Sequence, residues 1–178
     1  MIAIAAMAMF GFSFAEVKAE NDIKAPEGYQ AHLEQENIFL RNGDTGTAFS
    51  TTHGFYYTDN TFVGLGFGLD FFGDGEVVAP FYASAKYLFS PNAKVSPTAQ
   101  MRMGSYINSD RSKPYFDLAL GLRFASSRDF AFSILVAGSY YSPYNRTDSY
   151  YDNIADRWID STIKRDLSGI SMRIGIEW

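Results

Sequence analysis

Gly169-Ile170-Ser171-Met172-Arg173-Ile174-Gly175-Ile176-Glu177-Trp178 is the stretch on which the fold turns. Ile170, Met172, Ile174, Ile176 and Trp178 fall on one face, and Ser171, Arg173, Gly175 and Glu177 on the other. A strict period of two belongs to an extended strand, not to a helix. One face of this strand is unbroken apolar surface ending on a large aromatic. The other carries a cation and an anion.

The same alternation recurs upstream. Thr61 to Phe71 sets Val63, Leu65, Phe67, Leu69 and Phe71 against Gly64, Gly66, Gly68 and Asp70. Alternate glycines weaken a strand unless bulky neighbours need the room, as they do inside a narrow barrel. Pro114 to Ala125 opposes Phe116, Leu118, Leu120, Leu122 and Phe124 to Tyr115, Asp117, Ala119, Gly121 and Arg123. Further strands are expected over Thr47–Tyr57, Val77–Phe89, Val95–Ile107 and from Phe130 to Tyr140. The first strand, Gly28–Leu40, alternates least well, because Gln35 and Asn37 share the face that should be apolar. A bulge near Gln35 is expected to rephase Ile38 and Leu40. Turn-rich segments separate these strands at Arg41–Gly46, Thr58–Asn60, Gly73–Glu76, Pro91–Lys94 and Ser126–Asp129. Asn108–Lys113 reads as a polar loop, and Pro143–Ile163 as a long connection to the last strand, either a recognition loop or a solvated β-hairpin extension whose tyrosines pack on each other.

Composition agrees with this pattern. Aromatic residues make up 17% of the 178, glycine is frequent and cysteine is absent, which suits a barrel better than a helical bundle and removes disulfides and thiolate sites. A net charge of -5 argues against a nucleic-acid partner. The mean hydropathy of -0.14 excludes a membrane protein of many helices, but not a barrel whose strands turn half their residues away from lipid. The one continuous apolar run, Met1 to Ala15, is too short to span a bilayer as a helix. Residues 1–19 are expected to be a secretory signal peptide, truncated at its start because no Lys or Arg precedes the run. Residues 20–27 read as a linker, and 28–178 as the barrel.

The expected fold is therefore all-β: an eight-stranded antiparallel up-and-down transmembrane β-barrel. Its outward aromatics sort into two rings, as a membrane barrel requires. Tyr57, Tyr87, Phe89, Phe124, Phe130 and Trp178 form one; Phe39, Phe49, Phe71, Phe81, Phe116 and Tyr140 form the other. Its inward face collects Glu34, Glu36, Asp70, Asp117 and Glu177 against Lys86, Arg102, Arg123 and Arg173. The lumen of so small a barrel is filled by side chains, so these charges are expected to pair as a structural network, with Arg102, Arg123 and Arg173 each bridging a carboxylate.

Thr52-His53-Gly54-Phe55-Tyr56, the glycine strand Val63–Phe71 and the terminal Met172–Trp178 resemble a family of small outer-membrane β-barrel proteins of Gram-negative bacteria, built on the OmpA and OmpX plan. The resemblance implies an outer-membrane location, contact with outer-membrane lipid, and an assembly machinery that reads the terminal aromatic, here Trp178. It carries over no catalytic residue, metal or cofactor. The leading expectation is a non-enzymatic barrel that stabilises the envelope or presents external loops to an extracellular protein or glycan. Tyr144, Arg146, Tyr150, Tyr151, Arg157 and Trp158 in the long connection are candidates for that contact, being of the types that dominate binding hot spots. A lipid A acyltransferase or deacylase is the alternative. Such enzymes pair a His with a hydroxyl and an acid, whereas His32 and His53 read as lumen or girdle histidines. A soluble lipocalin-like carrier is a second alternative and would need its apolar face turned inward.

Overall fold

The computed structural model describes residues 23–178 apart from 74, 109–110 and 153–156, and side chains are not described at 108, 111, 146–161 and 163. The expected leader and the start of the linker lie outside the described residues. The strands are β1 (Gly28–Leu40), β2 (Thr45–Thr58), β3 (Thr61–Phe72), β4 (Val77–Leu88), β5 (Val95–Asn108), β6 (Arg111–Ala125), β7 (Ala131–Tyr141), β8 (Tyr144–Asp152), β9 (Arg157–Arg165) and β10 (Gly169–Glu177). Eight of them close a barrel in the order β1-β10-β7-β6-β5-β4-β3-β2, while β8 and β9 form a separate two-stranded sheet.

Closure joins the two ends of the described chain. The Ala31 N–H donates to the Trp178 carbonyl at 2.7 Å, and the Trp178 N–H returns a bond to Ala31 at 3.0 Å. Followed around the wall from Trp178 through Ala31, His53, Leu65, Ala83, Met103 and Phe116, the ladder arrives at Tyr140, near the other end of the barrel. The strands are therefore strongly tilted, as closing an eight-stranded sheet demands.

Two expectations are corrected. β1 has no bulge near Gln35: its pairing with both β2 and β10 runs without a shift, and Ile38 and Leu40 are buried inside. Gln35 and Asn37 stay on the outer face, where the Gln35 amide donates to Asn37 Oδ1 at 3.1 Å. Burying Ile38 and Leu40 in an apolar layer and pairing the two amides with each other offsets the cost of polar groups on the wall. The irregularity lies instead in β2, between Tyr56 and Thr58. Next, most of the loop expected over Asn108–Lys113 is strand, because β5 and β6 remain paired as far as Asn108 and Arg111, and only 109–110 lie outside the described residues. Of the two forms open to the long connection, the backbone takes the paired one, with Tyr144 opposite Arg165 and Asp152 opposite Arg157.

Elsewhere the alternation translates directly into two surfaces. Most large apolar residues at outward positions are exposed, from Tyr57 at 82% to Phe116 at 38%. The twin rings of aromatics lie on this outer surface, with Phe124 the most covered, stacked on Phe132 at 4.6 Å. The glycines of β3 make space within. A Cβ on Gly66 would lie 2.5 Å from the Tyr82 ring, and one on Gly64 would lie 2.9 Å from Phe62. Pro80 has no N–H to give, and the β3–β4 ladder is interrupted opposite it, between the Phe67–Phe81 and Asp70–Val78 pairs.

Candidate functional site: the filled lumen and the outer hairpin

The lumen is layered. At the end where β1 begins and β10 finishes, Tyr56, Phe62 and Leu88 form a small apolar cluster, and His32 stacks on Phe62 with centroids 4.3 Å apart. At the opposite end Tyr82, Tyr106, Tyr115 and Tyr141 gather with Phe72, Val78, Ile38, Leu40 and Leu167. The charged groups lie between, and all nine expected lumen charges are buried.

Their pairing follows from strand order rather than from sequence proximity. Arg173 lies at the centre: its Nε donates to Glu36 at 3.0 Å, Nη2 lies 2.9 Å from the same carboxylate and donates to Asp117 at 3.0 Å, and Nη1 donates to Gln100 at 3.3 Å. Glu36 also accepts from the Ser171 hydroxyl, and Asp117 from Ser139 at 2.9 Å. Arg102 pairs with Glu34, comes within 4.0 Å of Glu36, and lies 4.7 Å from the centroid of the Tyr82 ring. Lys86 and Arg123 share Glu177, the latter at 2.8 Å. Asp70 stands apart from the cations and accepts from the Tyr141 hydroxyl at 2.5 Å. Each arginine thus meets at least one carboxylate, and buried charges are held in this way because an isolated one costs several kcal/mol.

Alternation places Glu34, Lys86, Arg102 and Arg173 inside, but it does not reveal the neutral partners. Gln100, Ser139, Ser171 and Tyr141 complete the network, and only the stagger of the strands brings them to it. Their signal in the sequence was weak: an inward Ser or Gln looks like filler.

The two histidines part company. His32 is fully buried in the lumen. His53 is exposed on the outer wall, between the Tyr29 hydroxyl, 2.6 Å from Nδ1, and Thr51 Oγ1, 3.0 Å from Nε2.

Of the candidates in the hairpin, Tyr144 is no free display residue. It is partly buried against the upper tyrosine layer, 6.5 Å from the Tyr106 ring. Arg146, Tyr150, Tyr151, Arg157 and Trp158 lie on the paired backbones of β8 and β9, with Tyr151 directly opposite Trp158, and their side chains lie outside the described residues. The base of the hairpin is anchored: Arg165 lies 3.5 Å from the buried Glu76, and the Ser168 N–H donates to Asp166 at 3.0 Å.

No family model matches the sequence, and no curated protein matches it. Solved structures do. Neisserial surface protein A (NspA) aligns with a TM-score of 0.60 at 11% identity, over 84% of this chain and 94% of that one. The N-terminal β-barrel domain of Pseudomonas aeruginosa OprF aligns with a TM-score of 0.54 at 13% identity, over 86% and 98%. At such identities the likeness is one of fold, and the fold is that of a small outer-membrane β-barrel.

Proposed function

We propose that this chain is an integral outer-membrane barrel that conducts nothing, catalyses nothing, and holds the β8–β9 hairpin clear of the outer rim as its recognition element. One observation carries the reading: buried ion pairs fill the lumen between an apolar layer at one end and a tyrosine layer at the other. Such a lumen offers no aqueous path. Among the described residues its interior is polar and charged through the middle, which argues against a lipocalin-like carrier. What remains for contact with the outside is the hairpin, a rigidly rooted two-stranded extension whose sequence is rich in Tyr, Arg and Trp. Its partner would be an extracellular protein or glycan.

The lipid-modifying alternative draws on Thr51, His53 and Tyr29, a hydroxyl, an imidazole and a phenol in line on the outer wall. The arrangement is short of an acid, and the amides of β1 and β2 are committed to the ladder, so they cannot serve a developing oxyanion. An unchanged envelope lipid profile in His53→Ala cells is the expected result.

Trypsin applied to intact cells tests the display. Cleavage is expected within residues 146–165 alone, leaving a core that still migrates faster in electrophoresis before boiling than after. Protection of the hairpin on intact cells, with cleavage only after the envelope is opened, would reverse the orientation. Stepwise conductance in planar bilayers would refute the closed lumen.

A further inference from the structure

We propose that the outward face of β1 and β2 is an interface with a second copy of this chain, an inference that rests on the barrel lying in a membrane. Between the aromatic rings most of the wall is apolar: β3 presents Leu65, Phe67 and Leu69, and β6 presents Leu118, Leu120 and Leu122. The β1–β2 face is different. Tyr29, Gln35, Asn37, Thr47, Thr51 and His53 all point outward there. They bond to one another where they can, Gln35 to Asn37 and His53 to Tyr29 and Thr51. A primary amide has two N–H donors and an oxygen with two lone pairs. The single Gln35–Asn37 bond therefore leaves most of both amides turned outward. Hydrocarbon cannot satisfy such groups, and polar side chains within a membrane ordinarily face protein or a water-filled cavity.

Two features identify the occupant. The polar face runs from Tyr29, near the ring that holds Tyr57 and Trp178, to Thr47, near the ring that holds Phe39 and Phe71, and so crosses both leaflets. A lipid molecule fills one leaflet, whereas another barrel wall fills both. The face is also uncharged, which suits neither a phosphate nor a carboxylate. Amides and hydroxyls each carry donor and acceptor in one group, so the surface is complementary to itself across a two-fold axis. Leu33 and Phe49 are exposed among these groups and supply packing. At the outer end a recess of about 390 Å³, lined by Asn37, Phe39, Thr45, Thr47 and Phe71, gives room for a side chain of the other copy.

The chain has no cysteine, so single cysteines can report the contact. Leu33 and Thr51 are paired at the middle of the face, and Leu120 lies on a distant strand. Oxidation of isolated outer membranes is expected to give a disulfide-linked dimer with L33C or T51C and not with L120C. Adding Gln35→Leu and Asn37→Leu to L33C is expected to lower the dimer yield about tenfold, the worth of one or two hydrogen bonds in a membrane. The shift in mobility on boiling is followed in every variant, so a failed barrel is told apart from a failed interface. Absence of a dimer from L33C and T51C with that shift intact would overturn the proposal. So would equal cross-linking at Leu120, or capture of a different protein in place of the second copy.

Discussion

Arg173→Met probes the lumen network at its centre. Arg173 is wholly buried and holds two carboxylates at once, Glu36 at 2.9 Å and Asp117 at 3.0 Å. Methionine fills much of the volume but leaves both acids without their cation. Glu36 keeps the Ser171 hydroxyl and a contact with Arg102 at 4.0 Å, and Asp117 keeps the Ser139 hydroxyl. Removing one partner of a buried pair costs about 3–5 kcal/mol. With two carboxylates stranded, the upper end applies, about 5 kcal/mol, or between three and four powers of ten in the folding equilibrium. Urea unfolding of the barrel in lipid vesicles, followed by tryptophan fluorescence, reads this directly, since Trp178 sits on the outer wall. The triple variant with Glu36→Gln and Asp117→Asn removes the stranded charges and is expected to return to within about 2 kcal/mol of the parent. A loss below about 1 kcal/mol in the single variant, or a triple variant no better than the single, would refute the reasoning that the charges are mutually dependent.

Three further outcomes are expected. Gly66→Ala places a Cβ 2.5 Å from the Tyr82 ring and should cost about 1–3 kcal/mol by overpacking, whereas Gly138→Ala, with nothing within 4 Å, should be neutral in the same unfolding assay. Tyr141→Phe takes the hydroxyl donor from buried Asp70 and should cost about 1–3 kcal/mol, and the addition of Asp70→Leu should recover part of that loss. Deleting residues 146–163 should leave the unfolding midpoint and the mobility shift on boiling intact, because β8 and β9 form a sheet of their own; a collapse of the barrel would show that the hairpin is structural.

The wall was largely legible because its code is local. In β3 and β10 every second residue declares its side, and Phe67 or Ile174 needs no knowledge of distant strands to be placed. β1 misled for a physical reason. Polarity alone sorts Gln35 and Asn37 with the interior, and only the apolar upper layer explains why Ile38 and Leu40 belong inside. The hairpin was legible only as one of two readings, because its residues alternate without an apolar face and nothing in the pattern separates a free sheet from a loop. The network was legible in membership but not in wiring. Arg173 and Gln100 meet across 73 residues, and Lys86 and Glu177 across 91, distances that the tilt of the strands closes and the sequence does not advertise.

The seam between β1 and β10 sets an order of events. Glu36 and Glu34 are made early in synthesis, yet Arg173, Ser171 and the backbone that pairs with Ala31 come from the last ten residues. Until β10 arrives, the growing sheet has two open edges and a row of acids lacking part of their counter-charge. Contacts of such long sequence separation make folding slow. They also couple two requirements: the nine residues of β10 close the hydrogen-bonded wall and carry Arg173 and Glu177 to their partners in the interior. Loss of β10 is therefore expected to open the wall and unpair the lumen together, whereas loss of a single ion pair touches the lumen alone.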